Sequence, residues 1–76
     1  MTADNFAEVL HKLQKLAPFR PFTVEYVSGD RIEVDRPDAL VIRGGITVYV
    51  SSRGQLSIFD HESVSHIIDS SGQRAA

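Results

Sequence analysis

The stretch FRPFTVEYVSGDRIEVDRPDAL, Phe19 to Leu40, decides how this chain is read. Phe22, Val24 and Tyr26 alternate with Thr23, Glu25 and Val27, the two-residue period of a strand with two unlike faces. Gly29-Asp30 follows as a turn of the Gly-X kind, which favours a tight hairpin. Arg31 to Asp35 is then the returning strand, with Ile32 and Val34 inside and Arg31, Glu33 and Asp35 outside. Pro37 has no N–H to give to a ladder, so Asp35-Arg36-Pro37-Asp38 marks a bend or an edge. At the other end Pro21 stiffens the entry to the first strand. Phe19 and Phe22 are expected to anchor that entry against the core.

Working back from this hairpin, residues 5–17 carry helical periodicity. Phe6, Val9, Leu10, Leu13 and Leu16 fall on one face of a 3.6-residue period. Asn5 or Asp4 is positioned to cap the start, with Glu8 as the reciprocal half of a capping box. Glu8 and Lys12 form an i, i+4 pair. Pro18 biases Ala17 away from helical angles and ends the helix. The apolar face is expected to lie across the chain's own sheet.

Working forward, Ala39 to Arg43 resumes a strand and Gly44-Gly45 signals a second hairpin. In Ile46 to Ser51, Ile46, Val48 and Val50 share one face and Thr47, Tyr49 and Ser51 the other. Ser52-Arg53-Gly54 is a third turn. Gln55 to Asp60 is a strand with Leu56 and Ile58 inside, His61-Glu62-Ser63 a turn, and Val64 to Asp69 the last strand. Ser70 to Ala76 is small and polar and is expected to fray. This alternation leaves Val27, Tyr49 and Phe59 on outward faces, where apolar groups make a surface sticky.

The predicted fold is therefore mainly β with one N-terminal α-helix. It is a single domain over 1–76, with the helix at about 5–17, a β unit at about 22–69 and a frayed tail at 70–76. Five to six short strands joined by tight turns point to a small Sm/SH3-like barrel or a strongly bent antiparallel meander. An open sheet with the helix on one face is the alternative.

Size and composition narrow the function. A chain of 76 residues buries only about 60% of the surface its unfolded form exposes, so it is marginal alone. Domains this small usually add disulfides, a metal or a partner. There is no Cys, so disulfides and thiolate metal sites are excluded, which leaves self-association or a well-packed small core. The formal charge of −2 and pI near 5.8 argue against strong non-specific binding to a phosphate backbone. The first residues lack the basic start and apolar run of a signal peptide. No apolar run approaches the roughly 20 residues of a membrane span. A soluble cytoplasmic protein with no membrane contact is expected.

Two resemblances add to this reading. Phe19-Arg20-Pro21-Phe22, the Gly29-Asp30 hairpin and Arg36-Pro37-Asp38-Ala39-Leu40 resemble the FRPF…GD…RPDAL pattern of a family of short uncharacterised bacterial proteins. Members often carry His where this chain has Arg36, and the family implies a layout and no activity. The layout is also similar to the Sm-like (Hfq-type) small barrels, in which a helix precedes five bent strands. Phe59-Asp60-His61 with Val64-Ser65 resembles their Tyr-Lys-His…Ile-Ser turn, which implies an RNA-contacting role for His61. Asp60 stands where that pattern has Lys, and one extra residue separates His61 from Val64.

No catalytic residue, cofactor site or metal site is assigned. Asp60, His61, Glu62, His66 and Asp69 are the densest group of metal-capable side chains, but their spacing is not that of His-Glu-x-x-His on a helix. Gly44-Gly45 lacks the lysine and following helix of a phosphate loop. The leading expectation is a self-associating β-barrel module, a homo-oligomer acting as a structural or protein-interaction unit. The alternative is an Sm-like RNA or nucleic-acid binder with Arg20, Arg31, Arg36 and His61 as candidate contacts. A metal-dependent or acid–base enzyme around Asp60 and His61 ranks third.

Overall fold

Helix α1 runs over Ala3–Gln14 in the computed structural model, which describes residues 1–76. It begins two residues earlier than the periodicity predicts. Thr2 is the cap, its hydroxyl accepting from the Asn5 N–H at 3.2 Å. Neither Asn5 nor Asp4 is the cap, and Glu8 pairs with Lys12 at 3.8 Å. The helix also ends before Ala17. Gln14 turns its amide onto the carbonyls of Pro37 (2.8 Å) and Leu40 (2.7 Å), which ties the last turn to the chain beyond the first hairpin. Phe6 and Leu10 are fully buried, whereas Leu16 lies past the helix and is exposed.

Strands β1 (Phe22–Tyr26) and β2 (Arg31–Val34) form a hairpin, with Phe22 opposite Val34 and Glu25 opposite Arg31. Its turn is not the two-residue Gly29-Asp30: the Tyr26 N–H donates to the Asp30 carbonyl (2.8 Å), so the loop is Val27 to Gly29 and the first strand stops short of Ser28. Gly29 takes a φ of +95° in its turn, a conformation that residues with a Cβ rarely adopt. Pro37 opens a 3-10 turn, Pro37–Ala39, which redirects the chain into β3 (Leu40–Arg43). The remaining strands are β4 (Ile46–Val50), β5 (Leu56–Asp60) and β6 (Val64–Ile68). All pairings are antiparallel and fall into two three-stranded sheets, β2-β1-β6 and β3-β4-β5. The chain is thus mainly β with one N-terminal helix and six strands. The ladders do not close into one barrel: β2 does not pair with β3, nor β5 with β6.

The core lies between the sheets and under α1. Phe6 and Leu10 meet Phe22 and Val24 of β1, Val34 of β2, and Val64 and Ile67 of β6, together with inward residues of the second sheet. Phe59 is central to it. Its ring stands edge-on to Phe6 (centroids 6.1 Å apart, 86°) and to Tyr26 (5.8 Å, 68°). One ring therefore joins the helix, β1 and β5.

This arrangement reverses the expected faces of β4 and β5. Tyr49 and Phe59, expected outside, are buried at 2% and 4% exposure. Leu56 and Ile58, expected inside, are 59% and 65% exposed, and Ile46 is 54% exposed. Alternation tells which residues share a face and not which face turns inward. Size decides it here, because aromatic rings bury more area than aliphatic chains. Tyr49 adds a polar tie, its hydroxyl donating to the Asp35 carboxylate and accepting from the Asp35 N–H at 3.2 Å. Burial and the Asp35 carboxylate together hold the Tyr49 phenol above its ordinary value. The orientation has a cost: Thr47 is fully buried and its hydroxyl has no hydrogen-bond partner, a loss of about 1–3 kcal/mol.

The tail also differs from expectation. Residues 70–76 turn back through Gly72 and run along β6, with an antiparallel bridge from Ile68 to Arg74. The Ala75 N–H donates to Ile67 (2.7 Å) and Ile67 donates to Ala76 (3.0 Å). These bonds cover the outer edge of β6, which would otherwise present unpaired backbone groups.

Candidate functional site

The four candidate contacts do not come together. Arg20 precedes β1 and Arg36 follows β2, so both lie at the end of the first sheet where Phe22 meets Val34. Arg31 and His61 lie toward the opposite end, where the 27–30 turn adjoins the 60–63 turn through the Val27 N–H and the Ser63 carbonyl (2.9 Å).

Three of the four already have partners. Arg31 holds Glu25 at 2.7 Å, as their cross-strand register dictates. Arg36 sits 4.0 Å from Asp38. His61 donates from Nδ1 to the Met1 carbonyl (2.9 Å) and from its backbone N–H to the Gly45 carbonyl (2.9 Å). Its ring lies over Gly45 so closely that a Cβ there would be 2.5 Å from the His61 Cδ2. His61 thus fastens the start of α1 to the β3–β4 turn.

Arg20 lines a small pocket of about 110 Å³ with Leu13, Leu16, Phe22, Asp69 and Ser71. Asp69 there is held below its ordinary carboxylate range, first by the Ser71 hydroxyl (2.6 Å). Backbone N–H groups of Gln73 and Ser71 (both 3.0 Å) add to this, and the charge of Arg20 contributes less. The carboxylate at the wall and the bonds that saturate it make this pocket a closed turn more than an anion seat. Asp60 is likewise held low, by the Ser63 side chain and the Ser63 N–H (2.9 Å). No three His, Asp or Glu side chains gather as metal ligands.

The prominent surface feature is one that inverted face assignment conceals in the sequence. On the outer side of the β3-β4-β5 sheet, register places Val41 beside Val48 and Val48 beside Ile58. Val50 pairs with Leu56 in the next row toward the 51–54 turn. In the row on the other side, Ile46 lies between Arg43 and Asp60. Val41, Ile46, Val50, Leu56 and Ile58 are all more than a third exposed. A shallow groove of about 290 Å³ runs over Ile46, Ile58 and Asp60 on this face. The face is continuous aliphatic surface with a cation and an anion at opposite edges of one end.

No protein-family model, curated protein or solved structure matches the chain. No helix is long and apolar enough to cross a membrane.

Proposed function

We propose that this protein is a small self-associating β module that serves as a structural or protein-interaction unit. The observation that carries this reading is the exposed aliphatic face of the β3-β4-β5 sheet. Scattered apolar side chains on a surface need no explanation, whereas a contiguous apolar patch is often functional. Half-exposed Ile, Leu and Val side chains each forgo on the order of 1 kcal/mol of burial that a partner would restore. The chain's size works in the same direction, since so short a domain gains most from added contact area.

The four basic or imidazole contacts favour a nucleic-acid role less. Arg31 and Arg36 face carboxylates, and the candidates are divided between two ends of the first sheet. A phosphate backbone is held by a continuous basic track.

Sedimentation equilibrium of the purified chain from about 1 to 500 μM tests the reading, a range set by the weak end of specific interfaces. A reversible shift from monomer to a closed oligomer is expected. A monomer across the whole range would refute self-association.

A further inference from the structure

We propose that the outer face of β3-β4-β5 takes a second copy of this chain, face to face about a two-fold axis parallel to β4, with Arg43 of each copy against Asp60 of the other. This rests on the self-association reading and adds its surface, its symmetry and its orientation. The charge pattern carries it. Arg43, Ile46 and Asp60 form one row across the sheet, with the cation on the β3 edge and the anion on the β5 edge.

Consider the two ways of laying this face on its own copy with the strands of the two sheets aligned. A two-fold axis along β4 exchanges the β3 and β5 edges and keeps each row at its own height. Arg43 then meets the partner's Asp60 twice, once at each edge. Val48 meets its own counterpart, and Val41 meets the partner's Ile58. The interface is isologous, the commonest closed arrangement of identical chains. An axis across the strands would instead exchange the rows end for end. Asp60 would then lie over the partner's Leu56, a charge set on apolar surface without a partner, which is costly. The pattern selects the first arrangement.

The two charges are available for this role. Arg43 is exposed and makes no ion pair within its chain; its guanidinium donates to the neighbouring Ile42 carbonyl at 3.0 Å. Asp60 is exposed and makes no ion pair within its chain, its Oδ1 accepting from the Ser63 N–H at 2.9 Å. Sheets that pack face to face do so with strands about 30° from aligned, within the reach of a long Arg side chain. Three strands about 4.8 Å apart, of four, five and five residues rising about 3.3 Å each, give a footprint of roughly 220 Å². That is well below the roughly 800 Å² per partner of a standard interface, so weak, concentration-dependent association is expected.

The test uses two charge reversals, Arg43→Asp and Asp60→Arg. Each alone sets like charges against each other at both edges of its homodimer. Mixed, they place opposite charges at both edges of a heterodimer. Native mass spectrometry and sedimentation of the mixture should show the heterodimer favoured over either homodimer by about tenfold or more. Because Asp60→Arg also removes the Ser63 bond, far-UV circular dichroism checks its fold. Ile58→Lys, which leaves that turn intact, is expected to abolish association with the melting temperature of the monomer unchanged. If the wild type associates but the mixture shows no preference and Ile58→Lys still dimerises, this surface is wrong and self-association stands. A wild type that never associates removes both. Preference for the heterodimer is produced by this orientation and not by the row-exchanged one.

Discussion

Phe59→Ala is expected to destabilise the domain by about 3–5 kcal/mol, the range for removing a buried aromatic ring. Two edge-on contacts raise the loss above that of an average core ring, since each aromatic pair adds about 0.5–1.5 kcal/mol. The ring touches Phe6 of the helix and Tyr26 of the first sheet from its place on the second. No other side chain is in position to replace all of these contacts. A chain of 76 residues has a total stability of about 4–11 kcal/mol, so the variant should lose a large share of it. Phe59→Leu should fold with a smaller loss. Denaturant midpoints for the two variants check this. A loss below about 1 kcal/mol for Phe59→Ala would mean that the ring faces solvent, and the assigned faces of β5 would then be reversed.

Gly45→Ala should cost about 1–3 kcal/mol, the range for overpacking a filled site. Gly45 is not held by a left-handed backbone; it is held by space. The added Cβ would meet the His61 ring at 2.5 Å and the Ala3 Cβ at 3.3 Å. His61 cannot simply swing aside, because its Nδ1 is bonded to the Met1 carbonyl and its N–H to the Gly45 carbonyl. Removing the ring should relieve the clash. The Gly45→Ala/His61→Ala double variant is therefore expected to be less destabilised than the sum of the single changes, with a coupling of about 1 kcal/mol. Additive losses would show that His61 does not lie over the β3–β4 turn.

The hairpin from Phe22 to Val34 was legible in its strands but not in its turn. Alternation gave the strands and their inward faces, but the Gly29-Asp30 turn implied a pairing three residues away from the observed one, because the loop is Val27 to Gly29. The helix was legible in kind but not in its ends. Thr2 caps it at a position where periodicity has no voice, and Gln14 stops it through bonds to residues 23 and 26 positions away. The faces of β4 and β5 were not legible. Ile46, Val48 and Val50 are as apolar as an inward face should be, and Thr47 is not. The outcome turned on Tyr49 and Phe59 meeting partners distant in sequence, Asp35 for one and Phe6 for the other.

The candidate site changed for the same reason. Arg20, Arg31, Arg36 and His61 stood out as residue types, but residue type says nothing about partners. Glu25 lies opposite Arg31 only through the hairpin register, and Met1 reaches His61 only through the placement of the helix. The row Arg43, Ile46, Asp60 becomes visible only once three strands are aligned. In the sequence Arg43 is only the end of a strand and Asp60 only one of a group of metal-capable side chains. Large residues on both alternate faces of β4 were the one signal that could have drawn attention to this sheet.

The central claim is that an aliphatic face points outward from β3-β4-β5 and is covered by association. The chain has no Cys, so thiol labelling of an Ile58→Cys variant reads that face alone. Labelling should be fast in dilute solution, near the rate of an unfolded control, and should slow as concentration rises through the association range. Slow labelling at every concentration would show that Ile58 faces the core, and a rate that never changes with concentration would show that nothing covers it.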